Sequence, residues 1–155
     1  MAWTIRPARD DERDFVVGLA PRLAQGFELP AGRTAGEIVR AESEALLAAL
    51  ERPDDQQAVL IAERDDGTRG GLVYLQRQVD YFRQAPHAHV SILVVGAEVE
   101  GQGAGSRLLD AAEHWARDQG FDMITLHVFD GNRRARAVYE RHGYAPEYSR
   151  YVKRL

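Results

Sequence analysis

The sequence contains no cysteine. That single absence excludes a disulfide framework, a thiol nucleophile and a thiolate metal site. Uninterrupted apolar runs are short as well, none approaching the ~20 residues that span a bilayer. The amino-terminal Met-Ala-Trp-Thr-Ile-Arg-Pro lacks the apolar core of a signal peptide, so the expectation is a cytoplasmic protein with no membrane partner. Lysine is almost missing: Lys153 stands against 19 arginines, which reads as a coding bias and not as a site. A basic excess is missing too. The net charge is −4 and the pI about 5.7, the wrong sign for a surface that neutralises nucleic-acid phosphates and a suitable one for small cationic substrates. What is present is ordinary. With 155 residues, 45% hydrophobic and 28% charged, the chain suits one folded domain over 1–155 and is too apolar for disorder. No segment is biased enough to act as a linker, and no internal repeat is visible.

Periodicity supplies the elements. Residues 3–6 suit a short strand closed by Pro7. Asp10 and Asp11 offer helix caps, and Phe15, Val16, Leu19, Ala20 and Leu23 fall on one helical face. A loop containing Gly26, Pro30, Gly32 and Gly36 precedes a second helix that carries Ile38, Val39, Ala45, Leu46, Ala49 and Leu50 and ends at Pro53. The apolar run 58–62, the turn 64–69 and the run 71–75 read as a hairpin. A further apolar strand at 90–95 leads into Gly101-Gln-Gly-Ala-Gly105, after which Leu108, Leu109, Ala112, Trp115 and Ala116 recur at helical spacing up to a cap at Gly120. A strand over 123–129 is followed by Asp130-Gly-Asn132 and a helix with Ala135, Val138, Tyr139 and His142 on one face, closed by Gly143. A last strand is predicted over 148–155. The order β-α-α-β-β-β-α-β-α-β is an α+β (mixed α/β) layout with helices covering a central sheet.

Two constellations carry chemistry. Gly101, Gly103 and Gly105 stand between a strand and a helix, where backbone N–H groups and the helix dipole can hold an anion and missing Cβ atoms let a phosphate approach. They can equally be a tight strand-to-helix turn. Neither the dinucleotide fingerprint nor the Walker loop fits their spacing. Asn132 and Tyr139 lie seven residues apart on the next helix, two turns or about 10 Å, and so share a face. Read alone, they are a helix cap and a core aromatic.

Together, Val90-Ser-Ile-Leu-Val-Val95 followed by Glu100-Gly-Gln-Gly-Ala-Gly105-Ser-Arg-Leu-Leu, and Asn132 through Gly143-Tyr144, resemble the GNAT superfamily of acyl-CoA-dependent N-acyltransferases. The first resembles its R/Q-x-x-G-x-G/A loop, the second its N-x-x-A-x-x-x-Y-x-x-x-G-F hallmark with Tyr for Phe. The resemblance is close over residues 88–145, and the preceding elements follow the same order. It implies a central mixed sheet with helices on both faces, acetyl-CoA as acyl donor, and direct transfer to a primary amine of a small molecule or peptide, which needs no nucleophilic side chain. It assigns Leu93, Val94 and Val95 to pantetheine, Gly101, Gln102, Gly103, Ala104, Gly105, Ser106 and Arg107 to the pyrophosphate, Asn132 to a pantetheine amide, and Tyr139 to the acid that meets the leaving thiolate. A backbone N–H near Val95 is the donor implied for the developing oxyanion. Dimerisation is common in the family.

A base must still deprotonate the amine. His89 stands where the histone-acetylating branch carries a catalytic Glu, and His127 where branches acetylating ribosomal proteins place one. Both can equally be strand surface residues. A histidine base, with a pKa near ~6.5 when unperturbed, predicts a rate rising between about pH 6 and 8. His87 and His89 share strand parity, but no third ligand is placed by spacing, so no metal is expected. Two departures stand out: Glu100 replaces the usual Arg or Gln and is expected to point away from the anion, and Gly96 replaces a common Pro or Asp. They motivate an alternative, an acyl-CoA-binding regulatory module with little or no turnover. Arg133, Arg134, Arg136 and Arg141 can meet the adenosine phosphate or simply be solvated. Acceptor specificity is expected from residues 26–36 and 79–82, with Glu28 and Asp80 available to attract an ammonium group.

Overall fold

The computed structural model describes residues 2–155. Five strands form one sheet in the order β1 (Thr4–Pro7), β2 (Gln57–Glu63), β3 (Arg69–Val79), β4 (Pro86–Val95) and β5 (Ile124–Leu126). The first four pair antiparallel, and β5 lies parallel to β4. That change of direction follows from connection length: a five-residue connection with Gly67 at φ 85° joins β2 to β3, whereas a parallel neighbour requires a crossover. The crossover is α3 (Ala104–Asp118).

Strand alternation sends side chains to two cores. Val73, Leu75 and Val90 meet Leu108 and Ala112 of α3 on one face. Leu72, Tyr74, Ile92 and Val94 meet α1 (Arg13–Gly18) and α2 (Ala35–Glu51) on the other, through Val16, Leu46 and Ala49. Each fully buried leucine among these contributes roughly 2 kcal/mol. Val90 and Ile92 have the same parity yet face opposite cores. Ser91 is the cause: Leu75 pairs with Val90 and Tyr74 with Ile92, so Ser91 is a bulge that resets the alternation.

The layered architecture is the expected one, with three differences. The first helix is broken into a 3-10 turn at Asp10–Glu12, α1, and a second 3-10 turn at Ala20–Ala24, because Pro21 lacks the N–H that would continue the α ladder. The last strand does not form. Residues 145–155 carry no regular structure and are exposed, since they pair with neither of the sheet's open outer edges, on β1 and β5. For the same reason the strand expected over 123–129 shortens to the three residues that pair with β4. The final helix, α4, spans Arg133–Arg141. Among the described residues no helix is long and apolar enough to cross a membrane.

Candidate active site

The glycine loop begins where β4 ends. A 3-10 turn at Ala97–Val99 is followed by Gly101 at φ 79° and Gly103 at φ 87°. A methyl group on either would meet nothing within 4 Å, so these glycines serve a left-handed backbone conformation and not a tight space. The conformation delivers the chain into α3 with no side-chain cap and no acidic residue in the first turn. The N–H groups of Gly103, Ala104, Gly105 and Ser106 take no acceptor among the described residues. Four free donors at the positive end of a 15-residue helix make an anion cradle.

Two residues far away in sequence hold this cradle. Trp3 donates from Nε1 to the Gln102 carbonyl at 2.9 Å, Arg64 lies over the Trp3 ring at 4.1 Å, and Arg64 also donates to the Gln102 side chain. Glu100 does not stand alone pointing away. Its carboxylate accepts from Arg22 at 3.3 Å and pairs with Arg134 of α4, so it ties two arginines together beside the loop.

Next to the cradle the sheet opens. β5 pairs with β4 only at Ala88, His89 and Val90, and β4 runs on alone to Val95. The carbonyl of Val94 lies against Gly71 of β3. Successive residues address opposite edges of a strand, so Leu93 and Val95 turn their polar groups into the gap, where Arg22 Nε donates to the Val95 carbonyl at 3.3 Å. A free strand edge beside an anion cradle fits an extended amide chain ending in a pyrophosphate.

On α4, Asn132 is the cap, its Oδ1 accepting from Ala135 N at 3.2 Å, which leaves its side-chain amide hydrogens for another partner. Gly143 at φ 88° ends the helix and turns the Tyr144 ring to 6.0 Å from that of Tyr139. Burial pushes the Tyr139 hydroxyl above its ordinary value of 10.0, so it keeps its proton across the working range. Arg136 turns back to Asp130, while Arg133 and Arg141 are exposed.

The histidines behave differently from one another. His87 and His89 are both 5% exposed, joined through the Thr125 hydroxyl at 3.0 Å and 2.8 Å. The His127 ring lies 4.9 Å from that of His89 and is exposed just beyond β5. Burial, with the neighbouring His127 and His87 rings adding to it, pushes His89 down to about 4. A rate limb between pH 6 and 8 therefore does not belong to His89, and neither does the expectation of a strand surface residue.

These features can be set beside known proteins. The Acetyltransferase (GNAT) family model matches residues 26–144. The chain belongs to the GNAT acetyltransferase family. It is 30% identical over 102 residues to the uncharacterized N-acetyltransferase YhfO of Bacillus subtilis (strain 168), which is 66% of this chain and 67% of that protein. It is 33% identical over 91 residues to a mycothiol acetyltransferase of Propionibacterium freudenreichii subsp. shermanii, 59% of this chain but only 28% of that much longer relative. Its fold matches aminoglycoside N-acetyltransferase AAC(6')-Iy, solved in complex with CoA, at a TM-score of 0.71 and 18% identity over 99% of this chain and 95% of that one.

As a GNAT acetyltransferase the chain draws on acetyl-CoA, and the cradle, the free edge of β4 and the Asn132 amide are the groups that fit it. The loop before α2, where acceptor contacts are expected, lies against the segment that follows β5. Phe27 stacks at 5.7 Å on Phe129, the Glu28 carbonyl sits against Gly131, and Arg154 of the carboxy-terminal segment lies on Gly32. Asp80 is engaged by the Arg83 backbone N–H at 2.7 Å, and Tyr81 and Phe82 stand exposed at the tip of the β3–β4 turn. Sequence reasoning missed Trp3, Arg22 and Thr125, whose roles depend on partners 36 to 99 residues away.

Proposed function

We propose that this protein transfers an acetyl group from acetyl-CoA directly to a primary amine of a small molecule or peptide. The observation that carries the reading is the uncapped amino terminus of α3 beside the free edge of β4. Loop residues Gly101 to Arg107 hold the pyrophosphate through their N–H groups, Leu93, Val94 and Val95 align the pantetheine arm, and Asn132 adds an amide contact. When bound, acetyl-CoA supplies an activated thioester carbonyl and a thiolate leaving group. The chain supplies the rest. A backbone N–H near Val95 faces the charge that develops on the carbonyl oxygen, where a fixed dipole needs no reorganisation. Tyr139, protonated because it is buried, donates its hydroxyl proton to the departing sulfur. The His89–His127 pair receives the proton of an amine whose own pKa lies near ~10.

The test is thiol release from acetyl-CoA against a panel of amines, beside calorimetric titration with CoA. Tyr139→Phe is expected to lower kcat by about 10²-fold or more while CoA affinity stays within about threefold. Absence of CoA binding would sink the proposal. One observation favours a second reading, an acyl-CoA-binding regulatory module: among the described residues no carboxylate acts on His89 to strengthen it as a base, the groups acting on it being His127 and His87. CoA binding without thiol release across the panel would select that reading.

A further inference from the structure

Thr125 of β5 stands opposite His89 of β4 in register. Its Oγ1 lies 2.8 Å from His89 Nδ1 and 3.0 Å from His87 Nε2. A hydroxyl has one hydrogen, so between two neutral imidazoles it donates to one and accepts from the other. His87 decides the direction. Its Nδ1 is buried with no hydrogen-bond partner among the described residues. If the His87 hydrogen sat there, a buried N–H would go without an acceptor, a rarer arrangement than an unused lone pair. The hydrogen therefore belongs on His87 Nε2, donated to Thr125. Thr125 in turn donates to His89 Nδ1, and the hydrogen of His89 is left on Nε2.

We infer that Thr125 is a positioning residue that fixes His89 as the Nε2–H tautomer, so that His89 is a hydrogen-bond donor in the active site and the exposed His127 beside it is the base. The division of labour rests on the acetyl-transfer reading, whereas the tautomer is a property of the free protein. The groups acting on His89 are His127 and His87, and those acting on His87 are Asp80 and Arg83. Burial keeps His89 neutral at working pH, and a neutral imidazole N–H polarises a carbonyl or orients a second ring without giving up a proton. The bulge at Ser91 adds a geometric reason. It places His89 on the α1/α2 face, opposite Leu93 and Val95, so His89 addresses the site from the side away from the cofactor edge.

Long-range ¹H–¹⁵N correlation of the histidine rings in the whole protein at pH 7 reads the tautomer directly. The expected result is an unprotonated Nδ1 and a protonated Nε2 at His89, a mixture of tautomers in Thr125→Val, and the wild-type pattern again in Thr125→Ser. A His89 hydrogen on Nδ1 in the wild type overturns the inference without any variant having to fold. Kinetics tests the roles separately. Gln can donate an N–H but cannot serve as a base, so His89→Gln is expected to retain at least about tenfold more kcat than His89→Ala, and His127→Ala to lose about 10²-fold. Equal losses in His89→Gln and His89→Ala, with His127→Ala active, overturn the assignment of the base. An Nε2–H tautomer in a protein that releases no thiol with any amine overturns the acetyl-transfer reading, and the role of His127 with it, but not the role of Thr125.

Discussion

Replacing Gly103 by Ala separates the conformation of the loop from the space around it. Gly103 has φ 87° and ψ 0°, and an added Cβ meets no atom within 4 Å, so the substitution introduces no collision. Its cost is the left-handed backbone, roughly 1–2 kcal/mol for an L-residue. The smaller unfolded-state entropy of alanine offsets ~0.4–1 kcal/mol of that. A net loss near 1 kcal/mol is expected, or about 2–4 °C in Tm for a chain of this size. If the backbone escapes the strain by leaving the left-handed region, the N–H groups of residues 103–106 no longer converge. Losing one hydrogen bond to a charged group, about 1.5–3 kcal/mol, weakens CoA binding by ~10- to 150-fold. Gly105 is the control. It lies in α3 without a positive φ, and its Cβ would touch only Val95 Cγ2 at 3.7 Å, an ordinary contact. Gly105→Ala is expected to raise stability by up to ~1 kcal/mol and to keep CoA affinity within about threefold. Scanning calorimetry and isothermal titration measure both quantities on the same samples. A Gly103→Ala protein with lowered Tm and unchanged CoA affinity would show that the glycines are only a turn. Equal affinity losses at 103 and 105 would show that room, and not conformation, is what they supply.

Other outcomes follow from the charges around the site. Glu100→Gln frees Arg22 and Arg134 from their shared carboxylate and is expected to tighten CoA binding severalfold at low salt, the gain shrinking as salt screens it; unchanged affinity at low salt refutes that role. Since this pair is about a third exposed, stability should move by less than ~1 kcal/mol. Stability should also depend on pH in two steps. His89 falls from 6.5 to about 4 on folding, so the unfolded chain binds more protons between those values: its contribution, up to ~3 kcal/mol, is complete above pH 6.5 and is lost as pH falls toward 4. Glu12, held at about 2 by Arg6 and Arg69, contributes above 4.5 and loses that contribution as pH falls toward 2. Urea midpoints measured against pH should lose the upper step in His89→Gln and the lower one in Glu12→Gln; a wild-type midpoint flat from pH 7 to 4 contradicts the burial of His89.

What could be read from sequence was whatever depends on local spacing. The β2–β3 hairpin, α2 up to Pro53, and α3 and α4 with their glycine stops emerge from periodicity because each is specified by residues within a few positions. The terminal strand failed because a strand is a relation between two segments, and apolar alternation in 148–155 says nothing about whether an edge awaits it. The site divides along the same line. The glycine loop and the Asn132–Tyr139 pair are contiguous motifs and were visible. The Trp3 indole on the Gln102 carbonyl, the Arg22–Glu100–Arg134 tie and the hydroxyl bridge at Thr125 each join segments that meet only in the folded sheet.

Ser91 shows how much hangs on one such non-local fact. By strand parity alone, His89 shares a face with Leu93 and Val95, and a base there would compete with the cofactor for the same side of the sheet. The bulge at Ser91 turns residues 87 and 89 to the other face without moving 93 and 95, and it falls at the position where β5 stops pairing with β4. One inserted residue thus separates the histidine side of β4 from the side of Leu93 and Val95, and it does so where β5 parts from β4. Ser91 itself donates to Gln76 Oε1 at 2.6 Å, which holds the bulge to β3. A substitution that let β4 regain unbroken register would turn His87 and His89 toward the α3 face, away from Thr125. The Thr125 hydrogen bonds and the opening of the strands therefore have a common structural origin.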